Sequence, residues 1–251
     1  MSGLLHDKVV VVTAAAGTGI GSAMARRAAE EGAVVVISDR HARRLEETAG
    51  QLAEVCGGEA PVAIPCDVTD QAQVDALVQG ALDAHGRIDV LVNNAGLGLA
   101  ADVVSMTDEQ WDTVLAVSLT SVMRCTRAVL PSMYARGSGC IVNNASVLGW
   151  RAQAQQSAYA AAKAGVMAFT RCAALEAAAH GVRINAVAPS LAMHAFLEKV
   201  TPPGLLDHLA AREAFGRPAT PEEVANVMVF LASDLSSYMT GEVVSVSSQH
   251  A

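Results

Sequence analysis

Tyr159 and Lys163 stand four residues apart in the stretch SAYAAAKAG, and Ser146 precedes the tyrosine by thirteen residues. Four residues is just over one helical turn, so both side chains project from one helix face and share a small volume. A phenol beside an ammonium makes a proton-transfer device. Tyrosine, with a reference pKa of about 10, is a poor base at neutral pH, and an adjacent cation favours its phenolate. Lys163 is therefore expected to lower the Tyr159 pKa. Ser146, in NNASVLG just past a β-branched run, has the hydroxyl to hold a substrate oxygen beside the phenol. Taken alone, a serine there is equally a helix cap or turn residue. Reducing a ketone needs a hydride at carbon and a proton at oxygen, and oxidising a secondary alcohol reverses that path, so these residues need a hydride carrier beside them.

The carrier's site is suggested by TAAAGTGIGSAMARRAAEEG, which follows the first β-branched run and opens a helical pattern. Glycine lets the backbone pass close to a pyrophosphate, and a helix N-terminus offers free N–H groups and a positive dipole end. Thr13, Ala15, Gly17, Gly19, Ile20 and Gly21 are the candidate contacts. Asp39 ends the second strand, about twenty residues past the glycines, where a carboxylate accepts both ribose hydroxyls of NAD and repels a 2′-phosphate. Arg40 stands next to it and offers the opposite preference, a cation for the NADP phosphate. The expectation is NAD over NADP. Asp67 and Val68 after the third strand, and Asn93, Asn94, Ala95 and Gly96 after the fourth, are further candidates to line the nucleotide.

Seven short runs must position these groups: VVVVT (9–13), VVVIS (34–38), VAIPC (62–66), DVLVNN (89–94), CIVNN (140–144), RINAVA (183–188) and EVVSVS (242–247). Runs without alternation suit strands buried on both faces, and helix-length connections demand crossovers. The expected fold is α/β, a doubly wound seven-stranded parallel sheet with helices on both faces and its ligands at the strands' carboxyl ends. One domain is expected over 1–251, with nucleotide binding mainly in 8–96, the catalytic half in 97–189 and a substrate lid in 190–218. Thr107 with Gln110 reads as a capping box, and Thr220-Pro221-Glu222-Glu223 as an N-cap with proline at the first helical position.

Composition excludes some alternatives. A net charge of −8 and a pI near 5.3 argue against a nucleic-acid partner. The pairs Arg26-Arg27 and Arg43-Arg44 read as solvated helix faces. The five cysteines (56, 66, 125, 140 and 172) show no CxxC pair and no metal-ligand spacing, so they are expected to act as small hydrophobes in a reducing cytoplasm. No apolar stretch approaches the roughly eighteen residues that span a bilayer, and no membrane association is expected.

Taken together, the glycine-rich turn, Asp39, CDVTD (66–70), NNAG (93–96), Ser146 and the Tyr159/Lys163 pair resemble the short-chain dehydrogenase/reductase family in its compact classical form. The resemblance runs from Lys8 to about Ser247. It implies a Rossmann-type domain, a nicotinamide cofactor bound in part by Tyr159, Lys163, Pro189 and Leu191, and a homotetramer or homodimer built on the helices holding Trp111 to Pro131 and Tyr159 to Ala178. The chain departs from the family pattern in four places. The family places glycine directly after Thr13 and has one residue fewer in the turn, which here runs through Ala14, Ala15 and Ala16 to Gly17; Gly17 is expected to supply the missing flexibility. Ser118 stands where the family has an active-site asparagine that helps hold a water chain to the lysine. Pro189-Ser190 and Met193-His194 replace Pro-Gly and a downstream threonine, and Ser247-Ser248 replaces a terminal Gly-Gly.

Leu97, Val147, Trp150, Arg151, His194 and Phe196 are the candidate substrate contacts, and their mix of apolar and basic groups suits a bulky alcohol or ketone, with Arg151 able to meet an acidic carrier group. The AAAGTGIG turn, the Pro-Ser and the SVSSQH tail are similar to a branch of 3-oxoacyl reductases, some of which act on CoA-linked steroid ring fragments. Three functions follow as expectations: an NAD-dependent alcohol/ketone oxidoreductase, an NADPH-dependent 3-oxoacyl carrier-protein reductase, and an idle nucleotide-binding scaffold.

Overall fold

A computed structural model describes residues 3–193, 197 and 204–248. Seven strands form one sheet: β1 (Val9–Val12), β2 (Val34–Asp39), β3 (Val62–Pro65), β4 (Val90–Asn93), β5 (Gly139–Asn144), β6 (Val182–Pro189) and β7 (Val243–Val246). Every pairing is parallel and the order is β3-β2-β1-β4-β5-β6-β7. This matches the doubly wound expectation, with strand ends within a residue or two of the apolar runs.

The strands read as unbroken apolar runs because both faces are covered. Val10, Val12, Val35, Ile37, Val90 and Val142 pack under α1 (Ile20–Glu30), α2 (Ala42–Leu52) and the late helix α8 (Pro221–Ala232), against Met24, Leu45 and Met228. Val9, Val11, Leu91, Ile141 and Ile184 face the other way, against α3 (Gln71–His85), α5 (Ser121–Arg136) and α6 (Ser157–Ala178), meeting Leu77, Val129, Met133 and Ala177. Each such aliphatic side chain contributes about 1.5–3 kcal/mol on full burial. A shorter helix, α7, spans Leu205–Ala211.

Caps mark the helix starts where the sequence placed them. Thr107 accepts from the Gln110 N–H and Gln110 reaches back, opening α4 (Asp108–Leu115), and Thr220 does the same with Glu223 behind Pro221. α4 continues through a π-helical turn (Ala116–Thr120) into α5. The continuous helix Asp108–Arg136 is long and apolar enough to cross a membrane by length and composition only, a test that a core helix also passes. Its inner side packs on β4, β5 and α6, as a core helix does. Cys66, Cys125 and Cys140 are buried as expected of small hydrophobes, whereas Cys172 is exposed. Arg26, Arg43 and Arg44 are exposed as expected, whereas Arg27 bonds Glu30, Glu31 and Asn226.

Candidate active site

The strands' carboxyl ends gather the candidate residues along one edge. β1 lies between β2 and β4, so successive connections leave it on opposite faces and open a crevice beyond its end. Thr13 closes that end: its hydroxyl donates to the Val92 carbonyl at 3.2 Å and accepts from the Asn94 N–H at 3.0 Å. Ala15 is buried and its N–H meets the Ser38 carbonyl at 2.9 Å. Gly19 caps α1 without a side-chain hydrogen bond, which leaves first-turn N–H groups for an anion. Ile20 and Gly21 begin the helix, and a Cβ on Gly21 would sit 2.3 Å from the Ala14 carbonyl oxygen. The helix start can lie this close to the turn only with glycine there, and the resulting cradle fits the pyrophosphate of a nicotinamide dinucleotide.

The turn itself corrects one expectation. Gly17 has φ 96°, but Ala14 is also left-handed, at φ 50°. The position directly after Thr13, glycine in the family pattern, keeps its positive φ with an alanine in place, at a cost of about 1–2 kcal/mol. The Gly17 N–H is then taken by the Thr48 hydroxyl of α2 at 3.1 Å, a contact no local pattern could reveal.

Asp39 is buried, with one carboxylate oxygen accepting from the His41 N–H at 2.9 Å and the other from the Ala16 N–H at 3.4 Å. It therefore faces the glycine-rich turn from the end of β2. Arg40 is exposed and bonds His41; these two line an open surface depression with Ala42, Arg43 and Arg44, all exposed. Asp67 folds back on the Thr69 hydroxyl and N–H, which hold its carboxyl below the usual range with help from the charge of Arg40. Val68 is buried beside it. Asn93 turns away from the crevice: its amide donates to Asn143 and Thr126 on the α5 and α6 face of the sheet. Because side chains alternate along a strand, the next residue, Asn94, faces the turn and donates to the Thr13 and Ala14 carbonyls. Ala95 is buried and Gly96 exposed just beyond.

The end of β5 and the start of α6 bring Ser146, Tyr159 and Lys163 together. Ser146 opens a short turn (Val147–Gly149), its hydroxyl accepting from the Leu148 N–H at 3.2 Å, and it hydrogen-bonds the Tyr159 side chain. Lys163 is 2% exposed, donates to the Asn144 carbonyl at 2.5 Å, and lies 5.5 Å from the Tyr159 ring centroid. A Cβ on Gly96 would stand 3.3 Å from its Nζ. Burial pushes the phenol up to about 12, with the Ser146 hydrogen bond pulling the other way, and pushes the ammonium down to about 8. The expected lowering of Tyr159 by Lys163 is therefore not met by the protein's own groups. Desolvation outweighs a cation that stands over the ring and spends a bond on a carbonyl.

Ser118 sits in the π-helical turn, fully buried, and spends its hydroxyl on the Leu97 backbone rather than on Lys163. Such turns insert one extra residue into a helix and recur at functional sites. Leu97 is thereby fixed beside the site, with Val147 buried beneath Ser146, and Trp150 half-exposed and Arg151 partly buried at its edge. Beyond Pro189 the chain pairs with Ala219 through the Leu191 carbonyl and the Met193 N–H. His194 and Phe196 lie outside the described residues.

The geometry can pass a proton between a phenol and a substrate oxygen at a nucleotide crevice, and known proteins share the fold. A family profile described as enoyl-(acyl carrier protein) reductase matches residues 14–248. The chain is 65% identical over 251 residues to a (5R,7aS)-5-hydroxy-7a-methyl-1-oxo-2,3,5,6,7,7a-hexahydro-1H-indene-carboxyl-CoA reductase of Mycobacterium tuberculosis, covering 99% of this chain and 95% of the relative. It is 40% identical over 242 residues to a 3-oxoacyl-acyl-carrier-protein reductase of Thermotoga maritima, covering 96% and 97% of the two chains. Among solved structures, a short chain dehydrogenase from Mycobacterium smegmatis superposes with a TM-score of 0.88 at 61% identity, covering 99% of this chain and 95% of the other. Levodione reductase reaches a TM-score of 0.92 at 35% identity, covering 97% of each. With its nucleotide crevice and its Ser146, Tyr159 and Lys163 cluster in place, the chain belongs to the classical short-chain dehydrogenase/reductase family of NAD(P)-dependent oxidoreductases.

Proposed function

We propose that this enzyme interconverts a secondary alcohol and a ketone on a bulky hydroxy- or oxoacyl-CoA, with Tyr159 moving the proton. The observation that carries the reading is the convergence of Ser146, Tyr159 and Lys163 beside the crevice, in a chain 65% identical to a CoA-thioester reductase. Tyr159 gives its proton to the nascent alkoxide in reduction and accepts it in oxidation. Ser146 holds the substrate oxygen at the phenol. Lys163, with donors left beyond the Asn144 carbonyl, binds the nucleotide ribose. Bound nicotinamide supplies the hydride acceptor or donor. Ser118 acts at one remove, by fixing Leu97.

Asp39, turned toward the glycine-rich turn, favours NAD over NADP. A specific observation favours the other cofactor: the exposed basic residues Arg40, Arg43 and Arg44 around an open depression suit a 2′-phosphate, and with it a 3-oxoacyl carrier-protein reductase. The idle-scaffold alternative is set aside, because the relatives are reductases and dehydrogenases. Free thiols suit a reducing cytoplasm. Exposed apolar side chains on the α4 and α6 helices, Trp111 and Leu175, suit a dimer or tetramer packed through them; of the lid expected over 190–218, residues 194–196 and 198–203 lie outside the described residues.

The test is turnover of 3-hydroxyacyl-CoA and cyclic hydroxyacyl-CoA substrates with NAD⁺ and NADP⁺. Turnover confined to small free alcohols overturns the substrate class, and preference for NADP⁺ overturns the role of Asp39.

A further inference from the structure

We infer that Asn144 is a positioning residue that ties the nucleotide-binding turn to Lys163, a role that rests on the hydride-transfer reading above. Asn144 is the last residue of β5 and pairs with Val187 of β6. Its carbonyl accepts the Lys163 ammonium at 2.5 Å, and its side-chain amide donates to the Asn94 Oδ1 at 3.0 Å. Asn94 in turn donates to the carbonyls of Ala14, at 3.0 Å, and Thr13, at 3.3 Å. The Ala14 carbonyl is the atom against which Gly21 lets α1 settle. An unbroken path of contacts thus runs from the start of α1, through the left-handed Ala14, Asn94 and Asn144, to the ammonium.

Folding alone does not account for an amide here. Its ladder partner Val187 and Val142, two residues earlier on its own strand, are apolar and buried, and a β-branched residue suits such a strand at least as well. Asn144 is 9% exposed and its Oδ1 is buried without a partner. A buried amide with one atom unmet by the protein calls for an explanation beyond packing. Asn143 on the opposite face differs: its amide accepts from Asn93 at 2.9 Å and donates to Thr170 at 2.9 Å, so both of its polar atoms are used. The Asn144 side chain sets the height of the turn relative to the strand end whose carbonyl holds the Lys163 ammonium. A shift at the pyrophosphate cradle then moves with Lys163 rather than against it.

Asn144→Val removes the amide and keeps the carbonyl that holds Lys163. On the full chain, its NADH dissociation constant is expected to rise about tenfold and its kcat to fall by a similar factor, while the KM of the organic substrate stays within twofold. Combining it with Asn94→Ala is expected to cost no more than the worse single change, because both break one link. A valine variant that binds NADH and turns over within twofold of wild type, or a double variant that loses the product of the two effects, overturns the proposal. Asn144→Asp keeps the shape but replaces the donor with an acceptor facing Asn94 Oδ1, and gives the same reading should the valine variant not fold. Wild-type protein that binds neither NADH nor NADPH is a separate result, which overturns the hydride-transfer reading and this role with it.

Discussion

The Ser118 hydroxyl closes both backbone groups of Leu97, accepting from its N–H at 2.9 Å and donating to its C=O at 3.1 Å. A residue expected from the sequence to serve Lys163 thus acts on the Leu97 backbone instead. Ser118→Ala leaves a partly buried N–H and C=O without that partner, an expected loss of about 1–3 kcal/mol. The measurement is a thermal melt, in which a fall of several degrees is expected; an unchanged melting temperature shows that the pair contributes nothing.

Tyr159→Phe removes the phenol proposed to move the substrate proton. The expected kcat is lower by about 10²- to 10⁴-fold, with the NADH dissociation constant within twofold of wild type. Steady-state kinetics beside a fluorescence titration check both halves, and near-normal turnover shows that the proton takes another route.

Burial holds the Lys163 ammonium at a pKa of about 8, so in the free protein the charge is present below that pH and lost above it. A ligand that bonds the ammonium favours the protonated form and raises its pKa. Nucleotide affinity is therefore expected to be full below pH 8 and to weaken above it, by up to about tenfold per pH unit. Titrating NADH across this range tests the sign, and Lys163→Met should flatten the curve.

Gly21→Ala places a Cβ 2.3 Å from the Ala14 oxygen and 2.4 Å from the Asn94 amide nitrogen. The backbone carbonyl cannot rotate away as a side chain would, so α1 must lift off the turn. NADH affinity is expected to fall at least tenfold, and stability by about 1–3 kcal/mol as in other overpacked sites. Calorimetry of the apoprotein and nucleotide titration separate the two effects.

Asp39→Ser removes the carboxylate that faces the glycine-rich turn and leaves Arg40 and Arg44 beside it, with Arg43 paired to Glu47. The ratio of NADPH to NADH dissociation constants is expected to fall about tenfold or more. A ratio that does not move assigns selectivity to the basic residues instead.

The apolar runs, the capping residues and the Tyr159/Lys163 spacing were legible in the sequence because each is local: strand propensity, a cap and a helical turn act over a few residues. By themselves they determined the seven-stranded parallel sheet, the helix starts at Thr107 and Thr220 and the face that carries the phenol and the ammonium. What lay beyond reach joins residues tens of positions apart. Strand register decided that Asn94 rather than Asn93 faces the turn, and the Thr48 hydroxyl reaches Gly17 across 31 residues. The π-helical turn delivered Ser118 to Leu97 across 21. The left-handed Ala14 had no local sign either, since alanine rarely adopts that conformation and does so here within a turn bonded to Ser38 and Asn94. The raised phenol and lowered ammonium depend on desolvation, which exists only once α6 has packed against the end of β5. Side-chain types set which chemistry was available, and the register and burial imposed by the packed sheet decided which groups meet and in which protonation state.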